Sequence, residues 1–226
     1  AVILNSPNNP TGVVYPESLI RALGEVLCQK EAESGRQIYL ISDEPYRRIL
    51  FDGLVPVPVF QHYHNSVIVS SHSKDLALPG ERIGYAALNP ASDEHDDLLA
   101  GFIHCNRVLG FVNAPALMQH LVRNLQSVTV SVPDYEKKRD LFYRELTGMG
   151  YDVVRPQGAF YLFPRSPLED DVEFVRELLS LLILVVPGRG FGAPGHFRVS
   201  YCVEDRTIEN SLAGFREAAQ RHGLTS

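Results

Sequence analysis

The residues best suited to covalent chemistry in this sequence are grouped around one lysine. Lys74 follows Ser71 and Ser73, directly after an apolar stretch typical of a buried strand, and Arg82 lies eight residues further on. Ligands bind at the carboxyl ends of strands in open α/β sheets. There, an amine can attack a phosphorylated aldehyde while Arg82 and the serines bind its phosphate. Taken alone, a solvated lysine near a surface arginine is the more common explanation.

A second polar group follows the strand predicted over residues 37–42. Asp43 comes directly after that strand, where a carboxylate can face a ligand's ring nitrogen and keep it protonated. Tyr46 could reach a phenolic oxygen of the same ligand, although an acidic helix cap with a packed tyrosine is the ordinary alternative. Upstream, the turn-rich segment 5–12 offers the side-chain amide of Asn9, which by itself indicates only a loop.

A third candidate is an arginine inside a strand predicted over residues 197–202. Side chains alternate along a strand, so Phe197 and Val199 face one way and Arg198 the other. An arginine among apolar strand residues needs a carboxylate partner, from the protein or from a substrate, and its planar fork suits bidentate recognition of that group.

These candidates need a sheet to position them. Strands apolar on both faces, separated by helices, predict an α/β fold with a mostly parallel, helix-covered sheet. The strands are expected at residues 1–4, 37–42, 66–71 and 84–88. Helices are expected from Pro16 to Gly35, over 95–131 with a break at 113–115 and a cap at Ser92 or Asp93, and over 134–147.

The pattern changes after Gly150 to short strands mixed with helices. Strands are expected at 151–154, 158–163, 184–186 and 197–202, and helices at 172–182 and 206–221. This predicts a smaller C-terminal α+β domain. We therefore expect the larger domain over residues 1–140 and the smaller one over 141–226.

Composition limits the classes of function. With 45% hydrophobic and 21% charged residues, the sequence is typical of a soluble globular protein, and no apolar run reaches the ~20 residues that span a bilayer. The net charge of −6 argues against nucleic acid as a partner. Three widely spaced cysteines predict buried free thiols. Because the chain begins without Met inside an apolar strand, we expect a fragment of a longer protein.

Taken together and in order, the motifs resemble the fold-type I aminotransferases of class I/II, the aspartate aminotransferase-like enzymes that depend on pyridoxal 5'-phosphate (PLP). The matching segments are NSPNNPTG (5–12), SDEPY (42–46), SHSKDLALPGERIGY (71–85) and FRVSY (197–201), with QGAFYLFP and VVPGRGFG in the smaller domain. The resemblance implies transamination between an α-amino acid and a 2-oxo acid. It also implies a role in amino acid metabolism, a cytoplasmic location and a homodimer.

The resemblance implies a role for each candidate residue. Lys74 forms the Schiff base with PLP and moves the proton between the substrate Cα and the cofactor. Asp43 pairs with the pyridinium nitrogen. Tyr46 and Asn9 hydrogen-bond the phenolic oxygen of the ring. Arg82 and Ser71 bind the phosphate, with Ser73 as a helper. Arg198 binds the substrate α-carboxylate, and Gly158 allows close approach of the backbone to the substrate.

Other readings stay open at the level of sequence. The family's N-terminal third is absent, and with it a phosphate-binding loop, a ring stacked on the cofactor and an arm over the partner subunit, so an inactive fragment is one alternative. The others are a PLP-dependent carbon–sulfur β-lyase and the PLP-binding sensor domain of a transcription regulator. The substrate is also open: Arg107 could meet a distal carboxylate, but a helix-surface arginine is the more common case.

Two further patterns are set aside. Residues 190–195 match G-x-G-x-x-G, but they precede a strand and open no helix, so the dinucleotide-binding interpretation fails. His62 and His64 have no cysteine or carboxylate cluster at metal-ligand spacing near them in the sequence, so no metal is expected.

Overall fold

The computed structural model describes residues 1–224. Its internal contacts group the chain into two compact units. The first contains residues 1–7 and 14–130, and the second contains residues 8–13 together with the chain from Ser131 onward. A division by contacts does not test whether either part folds alone, so the domain boundary expected at residues 140/141 stays a prediction.

The first unit is built on a four-stranded sheet in the order β1-β2-β3-β4. The strands are β1 (Val2–Asn5), β2 (Leu40–Asp43), β3 (Ser66–Ser71) and β4 (Gly84–Leu88). The first three run parallel and β4 is antiparallel to β3, which confirms a mostly parallel sheet. The last two strands have the predicted bounds, whereas β2 is shorter than expected because it begins at Leu40.

Four helices accompany this sheet: α1 (Glu17–Ser34), α2 (His72–Asp75), α3 (His95–Val108) and α4 (Ala116–Arg123). As predicted, α1 follows Pro16 and ends at Gly35, whose φ of 63° is the left-handed conformation that glycine favours. The helix expected over 95–131 ends early, and residues 124–131 lie outside it. The predicted cap is also wrong, since Glu94 occupies the N-cap without a side-chain hydrogen bond and the Ser92 hydroxyl donates to Asn65 instead.

The core of the first unit lies between α1 and the sheet. Ile20 and Leu27 on the buried side of α1 pack with Leu40, Val59 and Tyr63. Burying side chains of this size stabilises a fold by about 1.5–3 kcal/mol each. This packing holds β2 in the centre of the sheet, which matters because β2 carries one of the candidate residues at its end.

The second unit contains α5 (Val132–Gly148), α6 (Asp171–Ser180) and α7 (Asp205–Arg221) around an antiparallel sheet of β5 (Tyr161–Leu162), β7 (Phe197–Ser200) and β6 (Val186–Pro187), in that order. The strand predicted over 151–154 is wrong: these residues form no strand in the described chain. The strand predicted over 158–163 shrinks to two residues, because the Gln157 and Gly158 amides donate to Gly12 rather than to a neighbouring strand.

Aromatic side chains form much of the core of the second unit. Tyr151 lies against Phe197 and Phe215 with its ring centroid 6.0 Å and 6.2 Å from theirs, both edge to face. Its hydroxyl donates to the Phe215 carbonyl at 3.0 Å, so the polar end of this buried ring is satisfied. Phe197 points into this core, and its strand neighbour Arg198 is therefore on the opposite face, as alternation predicts.

The cysteines differ from expectation in one respect. Cys28, Cys105 and Cys202 are free thiols, as predicted, but all three are exposed rather than buried. Cys28 lies on α1 and Cys105 on α3, a helix that buries none of its residues. In the described part of the chain, no helix is long and apolar enough to cross a bilayer.

Candidate functional site

The carboxyl edge of the four-stranded sheet gathers the polar residues of the first unit. Asn5 ends β1 and pairs in register with Asp43, which ends β2. Ser71 ends β3 and pairs with Gly84, the first residue of β4. Because β4 is antiparallel, Arg82 just before it lies at the same edge as Ser71. The strand order thus places a carboxylate, a hydroxyl and a guanidinium along one edge.

Asp43 is half-buried and is held by a side chain from the neighbouring strand. The Asn5 Nδ2 donates to the Asp43 carboxylate at 3.1 Å and to the Asp43 backbone carbonyl at 2.9 Å. Burial raises the pKa of Asp43 above its ordinary value. The next residue, Glu44, is buried with its carboxylate accepting from the Ser42 hydroxyl at 2.7 Å, and burial raises its pKa as well.

Lys74 lies on a helical turn that directly follows β3. The turn is α2, and Ser71 is its N-cap, with Oγ accepting from the Ser73 amide at 3.4 Å. Four residues are too few to show helical periodicity in the sequence. The available sequence signal was Ser71, because serine is a preferred N-cap. The Lys74 side chain is half-buried.

A buried contact between a histidine and an aspartate holds the turn that carries Lys74. The His72 Nδ1 lies 3.3 Å from the Asp75 carboxylate, one helical turn away, and both residues are buried. The Asp75 carbonyl accepts from the Thr129 hydroxyl at 3.1 Å and the Val130 amide at 2.8 Å. Sequence reasoning missed this pair, and the signal was their i, i+3 spacing around the lysine.

Arg82 and Tyr46 take contrasting positions. Arg82 is exposed, has a left-handed φ of 50°, and donates from Nη1 to the Pro79 carbonyl at 3.0 Å. Gly84 behind it could not be another residue without movement, since a Cβ there would lie 2.4 Å from the Ser70 carbonyl oxygen. Tyr46 is buried, three residues after Asp43, so its ring is fixed by packing rather than lying at a rim.

The second unit holds Arg198 between two aromatic rings. The guanidinium carbon lies 4.5 Å from the Tyr161 ring centroid and 4.7 Å from that of Phe191. Its Nη1 donates to the Asn9 side-chain oxygen at 2.9 Å. Its Nε is buried and has no hydrogen-bond partner among the described residues. A cation with an unused buried donor is suited to an added carboxylate.

The segment 8–13 is held in the second unit by backbone contacts. The Gly12 carbonyl accepts from the Gln157 amide at 2.8 Å and the Gly158 amide at 3.0 Å. Gly12 has a φ of 69°, and a Cβ on it would lie 2.6 Å from the Pro156 side chain. The amide of Gly158 is therefore engaged by this segment, and the segment brings Asn9 to Arg198.

A buried acid supports the ring that covers Arg198. Asp171, fully buried at the start of α6, accepts from the Arg189 amide at 2.8 Å and from its Nε at 3.0 Å. Burial alone would raise the pKa of Asp171, but the Arg189 amide and guanidinium hold it below its usual range. Because Phe191 is two residues from Arg189, this pair fixes the turn that presents Phe191. Sequence reasoning did not single out Asp171.

The sequence-predicted site residues fall into two sets. The first unit contains Asp43, Tyr46, Ser71, Ser73, Lys74 and Arg82, and the second contains Asn9, Gly158 and Arg198. Arg107 is exposed in the last turn of α3. Among residues 1–224, no group of three or more His, Cys, Asp or Glu is placed to hold a metal.

The donor set of the first unit fits PLP in chemical type. An aldehyde needs an amine, which Lys74 offers. A phosphate needs hydroxyl and guanidinium donors, which Ser71 and Arg82 offer at the same sheet edge. A pyridinium nitrogen needs a carboxylate, which Asp43 offers at the end of β2.

Comparison with known proteins gives a consistent match. The family model described as "Aminotransferase class I and II" matches residues 1–215. A probable aspartate/prephenate aminotransferase of Thermus aquaticus is 34% identical over 97% of this chain and 57% of its own length. An aspartate aminotransferase of Bacillus subtilis is 30% identical over 98% of this chain and 58% of its own length.

Solved structures agree. A crystal structure of an amino transferase from Eubacterium rectale superposes with a TM-score of 0.94 at 40% identity, covering 98% of this chain and 56% of that one. A mutant of Thermus thermophilus aspartate aminotransferase superposes with a TM-score of 0.83 at 30% identity, covering 96% and 59%. The chain thus spans somewhat more than half the length of the relatives it matches, and the predicted fold class is confirmed.

Proposed function

Because the chain belongs to the aminotransferase class I and II family, we propose that the protein transfers an amino group from an α-amino acid to a 2-oxo acid, with PLP bound at the carboxyl edge of its four-stranded sheet. The observation that carries the proposal is the strand register, which pairs Asn5 with Asp43 and Ser71 with Gly84 and so aligns Asp43, Ser71 and Arg82 beside the turn of Lys74.

Lys74 has the central role in this proposal. When bound, PLP supplies an aldehyde carbon that links to amines and a protonated ring that withdraws electrons from the substrate Cα. The Lys74 amine would hold that aldehyde carbon. The same amine would move the proton at the substrate Cα, so Lys74 would act as both base and acid.

The other residues of the first unit bind and orient. Asp43 keeps the ring nitrogen protonated by accepting its N–H. Arg82 and the Ser71 hydroxyl hold the phosphate, with Ser73 as a helper, and charge-assisted bonds of this kind are about twice as strong as neutral ones. The Tyr46 hydroxyl, like the side-chain amide of Asn9, donates to the phenolic oxygen of the ring.

Arg198 binds the α-carboxylate of the substrate in this proposal. Its buried Nε and its stacking on Tyr161 and Phe191 support the role, because the rings exclude water from the guanidinium and so strengthen its pairing with an anion. The bond to Asn9 fixes the plane of the fork. At Gly158 the backbone approaches the substrate in this proposal.

Substrates and assembly are proposed from the relatives. The Thermus and Bacillus relatives named above are described as aspartate or aspartate/prephenate aminotransferases, and we extend acidic amino acids to this protein as the first substrates to test. A homodimer and a cytoplasmic location complete the proposal.

The experiment is a product assay on the purified full-length protein with PLP. With aspartate and 2-oxoglutarate we expect glutamate and a new 2-oxo acid in equal amounts, and we expect Lys74→Ala to abolish both. Lys30→Ala, on the exposed face of α1, is the control and should keep the activity. Ammonia and pyruvate from a cysteine-type substrate, with no amino-group transfer from any amino acid, would replace this proposal by a β-lyase.

A further inference from the structure

Asn5 contacts Asp43 at two points, and the function proposed above gives Asn5 no role. We propose that Asn5 is a positioning residue that holds the Asp43 carboxylate ionised and in one orientation, so that Asp43 can accept the N–H of the cofactor ring. This inference rests on the proposed function and extends it by one residue.

The geometry fixes which end of the Asn5 amide faces Asp43. Both acceptors, the Asp43 carboxylate oxygen at 3.1 Å and the Asp43 carbonyl oxygen at 2.9 Å, can only receive a hydrogen bond. The NH₂ group must therefore point at Asp43. Because the two residues are in register on parallel strands, their side chains project from the same side of the sheet.

The electrostatic balance at Asp43 makes this contact consequential. Burial raises the pKa of Asp43 and so favours the neutral acid, which could not keep a ring nitrogen protonated. An N–H donated to the carboxylate favours the ionised form instead. The nearest charged groups in sequence are Glu44, whose negative charge would also favour a neutral neighbour, and Arg47, which lies 3.4 Å from Glu44.

The position of an asparagine in this strand also needs a reason. The preceding residues of β1 are Val2, Ile3 and Leu4, typical of a strand, whereas asparagine is depleted in strands. Asn5 is the last residue of β1, at the edge of the sheet where Asp43 ends β2. A leucine of similar size would satisfy the strand but leave the carboxylate without this donor.

The test measures the protonation of the cofactor ring directly. Purified full-length protein is loaded with PLP labelled with ¹⁵N at the ring nitrogen, and the ¹⁵N chemical shift is recorded at neutral pH. We expect a protonated nitrogen in the native protein and at least a ten-fold lower ratio of protonated to neutral nitrogen in Asn5→Leu.

Asn65→Leu is the matched control. Asn65 is fully buried and donates to two carboxylates, Glu31 at 3.1 Å and Asp93 at 3.2 Å, but it precedes β3 at the opposite edge of the sheet. It should lower stability and leave the ¹⁵N shift unchanged. A native ¹⁵N shift in Asn5→Leu with PLP bound overturns the inference.

A second measurement separates this inference from the proposed function. In the cofactor-free protein, the ¹³C shift of the Asp43 carboxyl is followed against pH, and Asn5→Leu should move its titration to higher pH. If the native protein holds no PLP, the proposed function fails while this titration still decides the role of Asn5. An unchanged titration would refute it.

Discussion

Arg198 and Asn9 are joined by a hydrogen bond of 2.9 Å although they lie 189 positions apart in the sequence. The bond exists because segment 8–13 belongs to the second unit, although the residues directly before and after it belong to the first. The same segment is bound at Gly12 by the amides of Gln157 and Gly158. The loop that carries Asn9 thus also supports the proposed carboxylate site.

Arg198→Lys should weaken binding of a dicarboxylate by about 10- to 100-fold. Lysine keeps the charge but loses the planar fork, the stacking on Tyr161 and Phe191, and the bond to Asn9, and each tenfold change corresponds to about 1.4 kcal/mol. The measurement is the dissociation constant of maleate by titration calorimetry with the PLP-loaded protein.

Arg216→Lys on the exposed face of α7 is the control for that measurement and should bind maleate as the native protein does. If Arg198→Lys binds maleate with unchanged affinity, Arg198 does not recognise the carboxylate.

Gly12→Ala should lower the free energy of unfolding by more than about 2 kcal/mol. The substitution forces a non-glycine residue into a left-handed conformation and places its Cβ 2.6 Å from the Pro156 side chain. Gly35→Ala is the matched control, because Gly35 has a similar φ of 63° but open space around it. We expect the control to cost about 1 kcal/mol.

Urea denaturation of the two variants measures this difference. If the two variants lose equal free energy of unfolding, the close approach of Gly12 to Pro156 does not add to the cost of the substitution. Segment 8–13 would then be held mainly by other bonds.

Asp171→Asn should destabilise the protein at neutral pH by about 1–3 kcal/mol, because it removes a charge-assisted pair with Arg189. The Arg189 side chain is half exposed, so we expect the lower end of that range. The folded-state pKa of Asp171 is lowered, so its contribution is present above the pKa of an unfolded aspartate and is lost as pH falls through the folded value.

The difference between native protein and Asp171→Asn should therefore shrink below about pH 4, in urea midpoints measured at pH 7, 5 and 3. Glu173→Gln, exposed on the same helix, should show little difference at any of these values. A loss from Asp171→Asn that stays constant down to pH 3 would show that burial, and not charge, determines the contribution of Asp171.

The sheet of the first unit could be predicted well because each of its strands is a short apolar run that can be recognised from neighbouring residues alone. Apolar residues on both faces predicted strands over 66–71 and 84–88, and the structure has the same bounds. The ends of strands also located Asp43 and Ser71. The sequence pattern also favoured parallel strands. It could not assign which residues of neighbouring strands are paired.

The parts that could not be predicted depend on contacts between distant residues. The turn at Lys74 is held by the contact between His72 and Asp75 and by the Thr129 hydroxyl and Val130 amide, which donate to the Asp75 carbonyl. The strand expected over 151–154 does not form, and nothing in its alternating pattern reveals this. Asn5 and Asp171 were passed over because each acts through a partner at least 18 positions away.

Borohydride reduction of the PLP-loaded full-length protein, followed by peptide mapping with mass spectrometry, tests whether Lys74 forms the Schiff base. The sequence contains four lysines, at positions 30, 74, 137 and 138. We expect a reduced, covalently bound cofactor on Lys74 and on none of the other three. A modified peptide carrying Lys30, Lys137 or Lys138 in place of Lys74, or no modified lysine in protein that has bound PLP, would contradict it.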